Sequence, residues 1–220
     1  NLWDMSMGAD TAFLLSGADY FFVIALAVVI SLFVGTEFSD NTIRNKLIAG
    51  HTRVSVFLSN LMSSVIVAVS MYLVSVAVSC IGILLLDKME LPIDKLLLQM
   101  ACAVVSVSVI AVFICTVTMV IGNRVVSAIV SMLSVIGIQL IPPVLWANVD
   151  YYTEYGLLET SRAKIDVFLY DWLPTCQIYR FTSEITDIPK NIQWFPLYSA
   201  ILILAIGTIG IIIFKKKNLK

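Results

Sequence analysis

Residues 65–86 contain nothing more polar than Ser, Tyr or Cys, and a helix with no polar face has no stable place at a water-facing surface. Five such runs divide the chain: 12–38, 54–86, 96–122, 125–147 and 195–214. Each is long enough to cross a hydrocarbon core about 30 Å thick, which takes ~20 residues of helix. Among the charged residues only Asp19 and Glu37 fall inside these limits, both near an end. In a bilayer every backbone N–H and C=O is paired within the protein, which leaves helices or a closed barrel. Barrel strands run ~10 residues with alternating polarity, and these runs do not alternate. The expectation is an all-α integral membrane protein, a polytopic helical bundle with five transmembrane helices, forming one domain over residues 1–220.

Composition agrees. Charged residues make up 13% of the chain against about 25% in a soluble domain, and the mean hydropathy is +0.96. A net charge of −1 without a clustered basic face excludes nucleic acid as a partner. Placement of the charges says more. Segment 36–53, Arg124 and the tail 215–220 together hold eight Lys/Arg against two acids, whereas 1–19, 87–95 and 148–194 hold six against thirteen. Lys and Arg concentrate in cytoplasmic loops, so the first group is expected in the cytoplasm of a multi-pass plasma-membrane protein, with Asn1 outside. An outside start at Asn1 implies either a cleaved signal peptide or an earlier transmembrane helix.

The usual catalytic patterns are missing. There is no GxxxxGK[ST] loop for ATP phosphates, no HExxH, no pair of intramembrane aspartates, and a single histidine, His51. Cys80, Cys102 and Cys115 lie in apolar runs, Cys176 stands alone beyond them, and no CxxC spacing suggests a metal. No catalytic, cofactor-binding or metal residue is expected, and the chain is read as a non-enzyme. The helix centres hold no ionisable group of the kind that marks proton or sodium coupling. A cavity walled by Val, Ile and Leu suits an amphipathic or lipophilic substrate better than an ion or sugar, whose desolvation would be costly.

Two polar excursions stand out. In 36–53, Ser39 or Asp40 is expected to cap a short surface helix, Asp40 to Ala49. Ile43, Leu47 and Ile48 would form its apolar face, Gly50 a left-handed stop, and Thr52 the cap of the next helix. The geometry is an elbow. In 148–194, Ile165, Phe168, Leu169 and Trp172 follow helical spacing and Pro174 ends the run. Many Tyr and Trp there suit headgroup depth; the segment reads either as a lid partly embedded in the outer leaflet or as a passive aromatic belt. Gln139 is the most polar deep side chain. Pro142 and Pro143 after it must bend, break or end the fourth helix, since neither offers an amide donor. Ser75/Ser79 and Ser127/Ser131, four apart, allow close helix approach within one chain or between two.

Three segments carry a resemblance. The stretch Gly35-Thr36-Glu37-Phe38-Ser39-Asp40-Asn41-Thr42-Ile43-Arg44-Asn45-Lys46-Leu47, followed by Ala49-Gly50-His51-Thr52-Arg53, is the first. Leu173-Pro174-Thr175-Cys176-Gln177 is the second. The ending Gly210-Ile211-Ile212-Ile213-Phe214-Lys215-Lys216-Lys217-Asn218-Leu219-Lys220 is the third. In order and topology they resemble the membrane (permease) subunits of bacterial ATP-binding cassette exporters of the second permease type. Asn41 and Asn218 depart from the residues common there, a Gly and an acid. The resemblance implies a six-helix native chain, a homodimer, and two copies of a partner ATPase that bind the ATP and Mg. It makes the elbow a coupling helix, with Glu37, Asp40, Thr42, Arg44, Leu47 and Arg53 as the ATPase-coupling set. Gln139, Pro142, Pro143, Phe168, Trp172 and Pro174 are the expected substrate path or lid. The alternative is a non-transporting immunity or sensor protein that binds a peptide at its outer loop.

Overall fold

The computed structural model describes residues 20–86, 93–183 and 194–217. Asp19 and the start of the first apolar run, residues 87–92, the segment 184–193 and Asn218 lie outside the described residues. Nine helices are described: α1 (Tyr20–Ser39), α2 (Thr42–Ile48), α3 (Arg53–Leu86), α4 (Ile93–Ile121), α5 (Arg124–Gln139), α6 (Ile141–Glu154), α7 (Ser161–Trp172), α8 (Pro174–Ser183) and α9 (Phe195–Lys216). No strand occurs among the described residues. Among the described residues five spans are long and apolar enough to cross a membrane: α1, α3, α4, the α5–α6 pair and α9. The chain is an all-α polytopic membrane protein.

One helix is the hub. Burial takes 67% of the span Met100–Ile121 in α4, against 22–39% for the other four. A helix apolar on every side is a buried helix, and α4 touches α1, α3, α5, α8 and α9. Its Ile110, Ala111, Val112, Ile114 and Cys115 form the centre of the core. The other spans turn one face to α4 and leave Leu73, Val78, Leu133, Ile136, Leu204 and Ile209 outward, apolar surface that only lipid or another membrane helix can cover.

Small residues set the closest approaches. At Gly35 a Cβ would stand 2.9 Å from the Arg124 Cα, so α1 and the start of α5 touch backbone to backbone. Ser127 and Ser131 are fully buried; this pair serves packing inside the chain. At Gly210 a Cβ would stand 2.6 Å from Phe57 and 2.8 Å from Thr116, where α9, α3 and α4 converge. No disulfide joins the cysteines.

The fourth apolar run is broken where its prolines require. α5 stops at Gln139, Leu140 turns, and α6 restarts with Pro142 and Pro143 in its first turn. Without amide hydrogens at 142 and 143, the α5 ladder cannot continue through them. Pro142 is buried in the break and Pro143 half-buried.

Candidate functional site

α1 and α3 meet at one end of the bundle through an elbow built from α2 and its flanking turns. α1 continues to Ser39, whose hydroxyl donates to the Gly35 carbonyl, so neither Ser39 nor Asp40 caps α2. That expectation is corrected: the cap position is Asn41, at φ 56°, and its side chain makes no capping bond. Asn is among the few residues that enter the left-handed region readily, and the reversal needs that conformation more than it needs a capping oxygen. At the other end of α2, Gly50 takes φ 95° and the His51 N–H reaches back to the Lys46 carbonyl at 3.1 Å, a left-handed helix stop. Thr52 Oγ1 then accepts from the Ser55 N–H at 3.2 Å and caps α3.

Side chains brace the elbow. The Glu37 carboxylate accepts from Lys46 Nζ at 2.6 Å and from Asn60 Nδ2 at 2.8 Å, tying α1 to α2 and α3. Asn60 is 2% exposed, so its amide needs that acceptor. Arg53 reaches across the bundle: its Nη1 donates to the carbonyls of Lys215 at 2.9 Å and Lys217 at 2.6 Å, closing the end of α9. A cationic donor on the unpaired last carbonyls of a helix is favourable in charge and geometry. Lys217 Nζ in turn donates to the Met119 carbonyl at 3.0 Å and lies 4.6 Å from the Phe38 ring centre. Burial pulls this ammonium below the usual lysine range.

The elbow thus has an inner and an outer face. Ile43 is buried and Leu47 is half-buried against the core. Asp40, Arg44 and Asn45 are exposed, Thr42 is half-buried, and Ile48, expected on the apolar face of a helix at the membrane surface, is 75% exposed. Of the residues expected to couple to an ATPase, Glu37 and Arg53 are structural ties, Leu47 is a packing residue, and Asp40 and Arg44 are presented outward.

The far end is closed differently. Gln177 is fully buried. Its Oε1 accepts from Ser106 Oγ at 2.9 Å and Ser199 Oγ at 3.0 Å, and its Nε2 donates to the Asp171 carbonyl at 2.9 Å. One amide joins α4, α7, α8 and α9. Trp172 stacks on Tyr198 at 4.7 Å and lies 5.2 Å from Phe168. α7 contains the expected stripe and stops before Pro174, but it begins at Ser161 and buries Ala163 and Tyr170, while Ile165, Phe168 and Leu169 remain 58%, 54% and 38% exposed. The apolar stripe faces away from the bundle.

Between the two ends lies a cavity of about 170 Å³ bounded by α1, α4, α5, α9 and the α7–α8 junction; Gln139 and Pro174 line it together with Val109, Phe113, Val135 and Leu202. Phe168 and Trp172 are not among its lining residues. Sequence reasoning missed Asn60, Lys46 and Lys217 as ties. The signal for Asn60 was present, an amide inside an otherwise apolar run. No group of His, Cys, Asp and Glu among the described residues could hold a metal.

No family model, no curated protein and no solved structure matches this chain.

Proposed function

We propose that this chain is the membrane subunit of an ATP-driven exporter, drawing force from a separate ATPase and moving an amphipathic or lipophilic substrate such as a peptide, drug or lipid-like molecule. The observation that carries this reading is the elbow. It is a seven-residue helix braced to α1, α3 and α9, with Asp40, Arg44, Asn45 and Ile48 presented outward. A passive turn between two spans needs neither the three-way brace nor an outward face. In this reading the elbow end is cytoplasmic, in keeping with the Lys and Arg concentrated there, the chain forms a homodimer, and two ATPase copies bind ATP and Mg. Closure of the ATPases pushes α2. Glu37 and Arg53 pass the displacement to α1, α3 and α9. Moving a two-state bundle almost fully from one side to the other takes about 5.5 kcal/mol of preference for one state, a load the brace must bear without fraying.

Chain purified from its native membrane brings a nucleotide-binding ATPase with it. Arg44→Glu and Ile48→Asp, both outward, leave insertion and folding intact and abolish substrate-stimulated hydrolysis. Normal transport in both variants contradicts the reading. The outward stripe of Ile165, Phe168 and Leu169 favours a second reading, a sensor or immunity protein that holds an apolar peptide on α7. That protein loses peptide binding on Phe168→Asp and brings no ATPase.

A further inference from the structure

The cavity under the α5–α6 break is a candidate site in its own right. It lies where α5 stops at Gln139 and α6 restarts at Ile141, both of which belong to its wall. The wall includes Val23, Ile110, Phe113, Val135, Ile138 and Ile206, and no polar atom exposes surface to it. Gln139 Oε1 and Thr175 Oγ1 belong to lining residues and have no hydrogen-bond partner, but both atoms are covered. Water needs two or more polar partners to occupy such a space, and here it finds none within reach. A dry cavity of about 150 Å³ accommodates a six-carbon hydrocarbon, and this one is of that size. Ile141 is at once part of the wall and 37% exposed on the outer surface, beside Leu140 at 62%. The wall at Ile141 therefore borders the surface where hydrocarbon is the solvent.

We propose that this cavity binds an alkyl chain, taking on the order of six terminal carbons through the gap at Leu140 and Ile141. The chain comes either from a bilayer phospholipid or from a single-chain amphiphile dissolved in the membrane. The proposal stands on membrane residence alone and is independent of an ATPase partner.

The test is photolabelling of the full chain, purified and reconstituted in phosphatidylcholine vesicles. Two probes are used: a phosphatidylcholine and an alkyl glucoside, each with a diazirine near the end of its alkyl chain. Adducts are mapped by peptide mass spectrometry. Val109, Ile110 and Val135 are at most 6% exposed, so bulk lipid does not reach them. Adducts on these residues support the site. Labelling by the phospholipid assigns the chain to the bilayer, and labelling by the glucoside alone assigns it to a dissolved amphiphile. Val135→Phe, which fills the space, removes these adducts and leaves those on outward Leu133 and Leu204. Ile206→Phe, from the opposite wall, does the same and covers the case in which Val135→Phe does not fold. Adducts confined to outward positions with both probes overturn the proposal, as do core adducts that persist in a folded, filled variant.

Discussion

The two ends of the bundle are closed by opposite chemistry. At the elbow end the ties are ionic and partly exposed: Glu37 with Lys46, Arg53 on the last carbonyls of α9, Lys217 on the Met119 carbonyl. At the far end the central tie is neutral and buried, with Gln177 joining Ser106, Ser199 and the Asp171 carbonyl and aromatic rings stacked beside it, while a charged tie, the Asp166 carboxylate accepting from Asn148 and Tyr152, is left to the α6–α7 pair at its margin. Buried neutral bonds hold one arrangement tightly, because breaking them strands polar groups away from water. Exposed charged bonds exchange with water and salt at little cost. The far end is held the more firmly of the two, and in the proposed reading the elbow end is the one that is pushed.

The sharpest test of that contrast is Gln177→Leu, close in volume but unable to hydrogen-bond. It strands two hydroxyls and a carbonyl in the core and should cost about 3 kcal/mol, read as a lowered melting temperature in detergent. A change near zero would mean that the far end is held by packing alone. Glu37→Leu comes next, removing the shortest of the acceptors of the buried Asn60 amide and leaving it the Val56 carbonyl at 3.3 Å, at about 1 kcal/mol. Here Glu37→Gln should recover most of the loss, since an amide oxygen still accepts from Asn60. Arg53→Ala removes the donor to α9 and should cost about 1 kcal/mol. Its clearer signature is faster amide exchange at 214–217 with no change at 172–178. Smallest is Asn41→Gly, which keeps the left-handed turn and should shift stability by no more than a few tenths of a kcal/mol, while Asn41→Val should cost about 1 kcal/mol. Raising salt should hasten exchange around α2 and leave α8 unchanged; equal responses at both ends would remove the distinction.

Much of the fold was legible because lipid leaves the backbone so few choices. The five spans, the stop at Gly50, the Thr52 cap and the break before Pro142 each follow from the residue that stands there. Local chemistry was misread at Ser39 and Asp40, where two good capping residues lost to continuation of α1, and Asn41 supplied the turn by its backbone instead. The stripe of α7 had correct helical spacing, but periodicity cannot say whether a face meets protein or lipid. Tertiary ties were beyond reach. Nothing in the spacing of Arg53 and Lys215, or of Ser106, Gln177 and Ser199, says that they meet. That α4 would be the hub was marked only faintly, by a mean hydropathy of 2.7 against 2.1–2.5 for the other spans.

Force reception by the elbow is tested most directly by a photo-crosslinking amino acid in place of Asn45, exposed on α2, activated in native membranes. The account predicts that a nucleotide-binding ATPase is trapped, and that trapping changes when ATP is added with vanadate. Capture of no nucleotide-binding protein, or an elbow reached only by reagents applied outside intact cells, would contradict it.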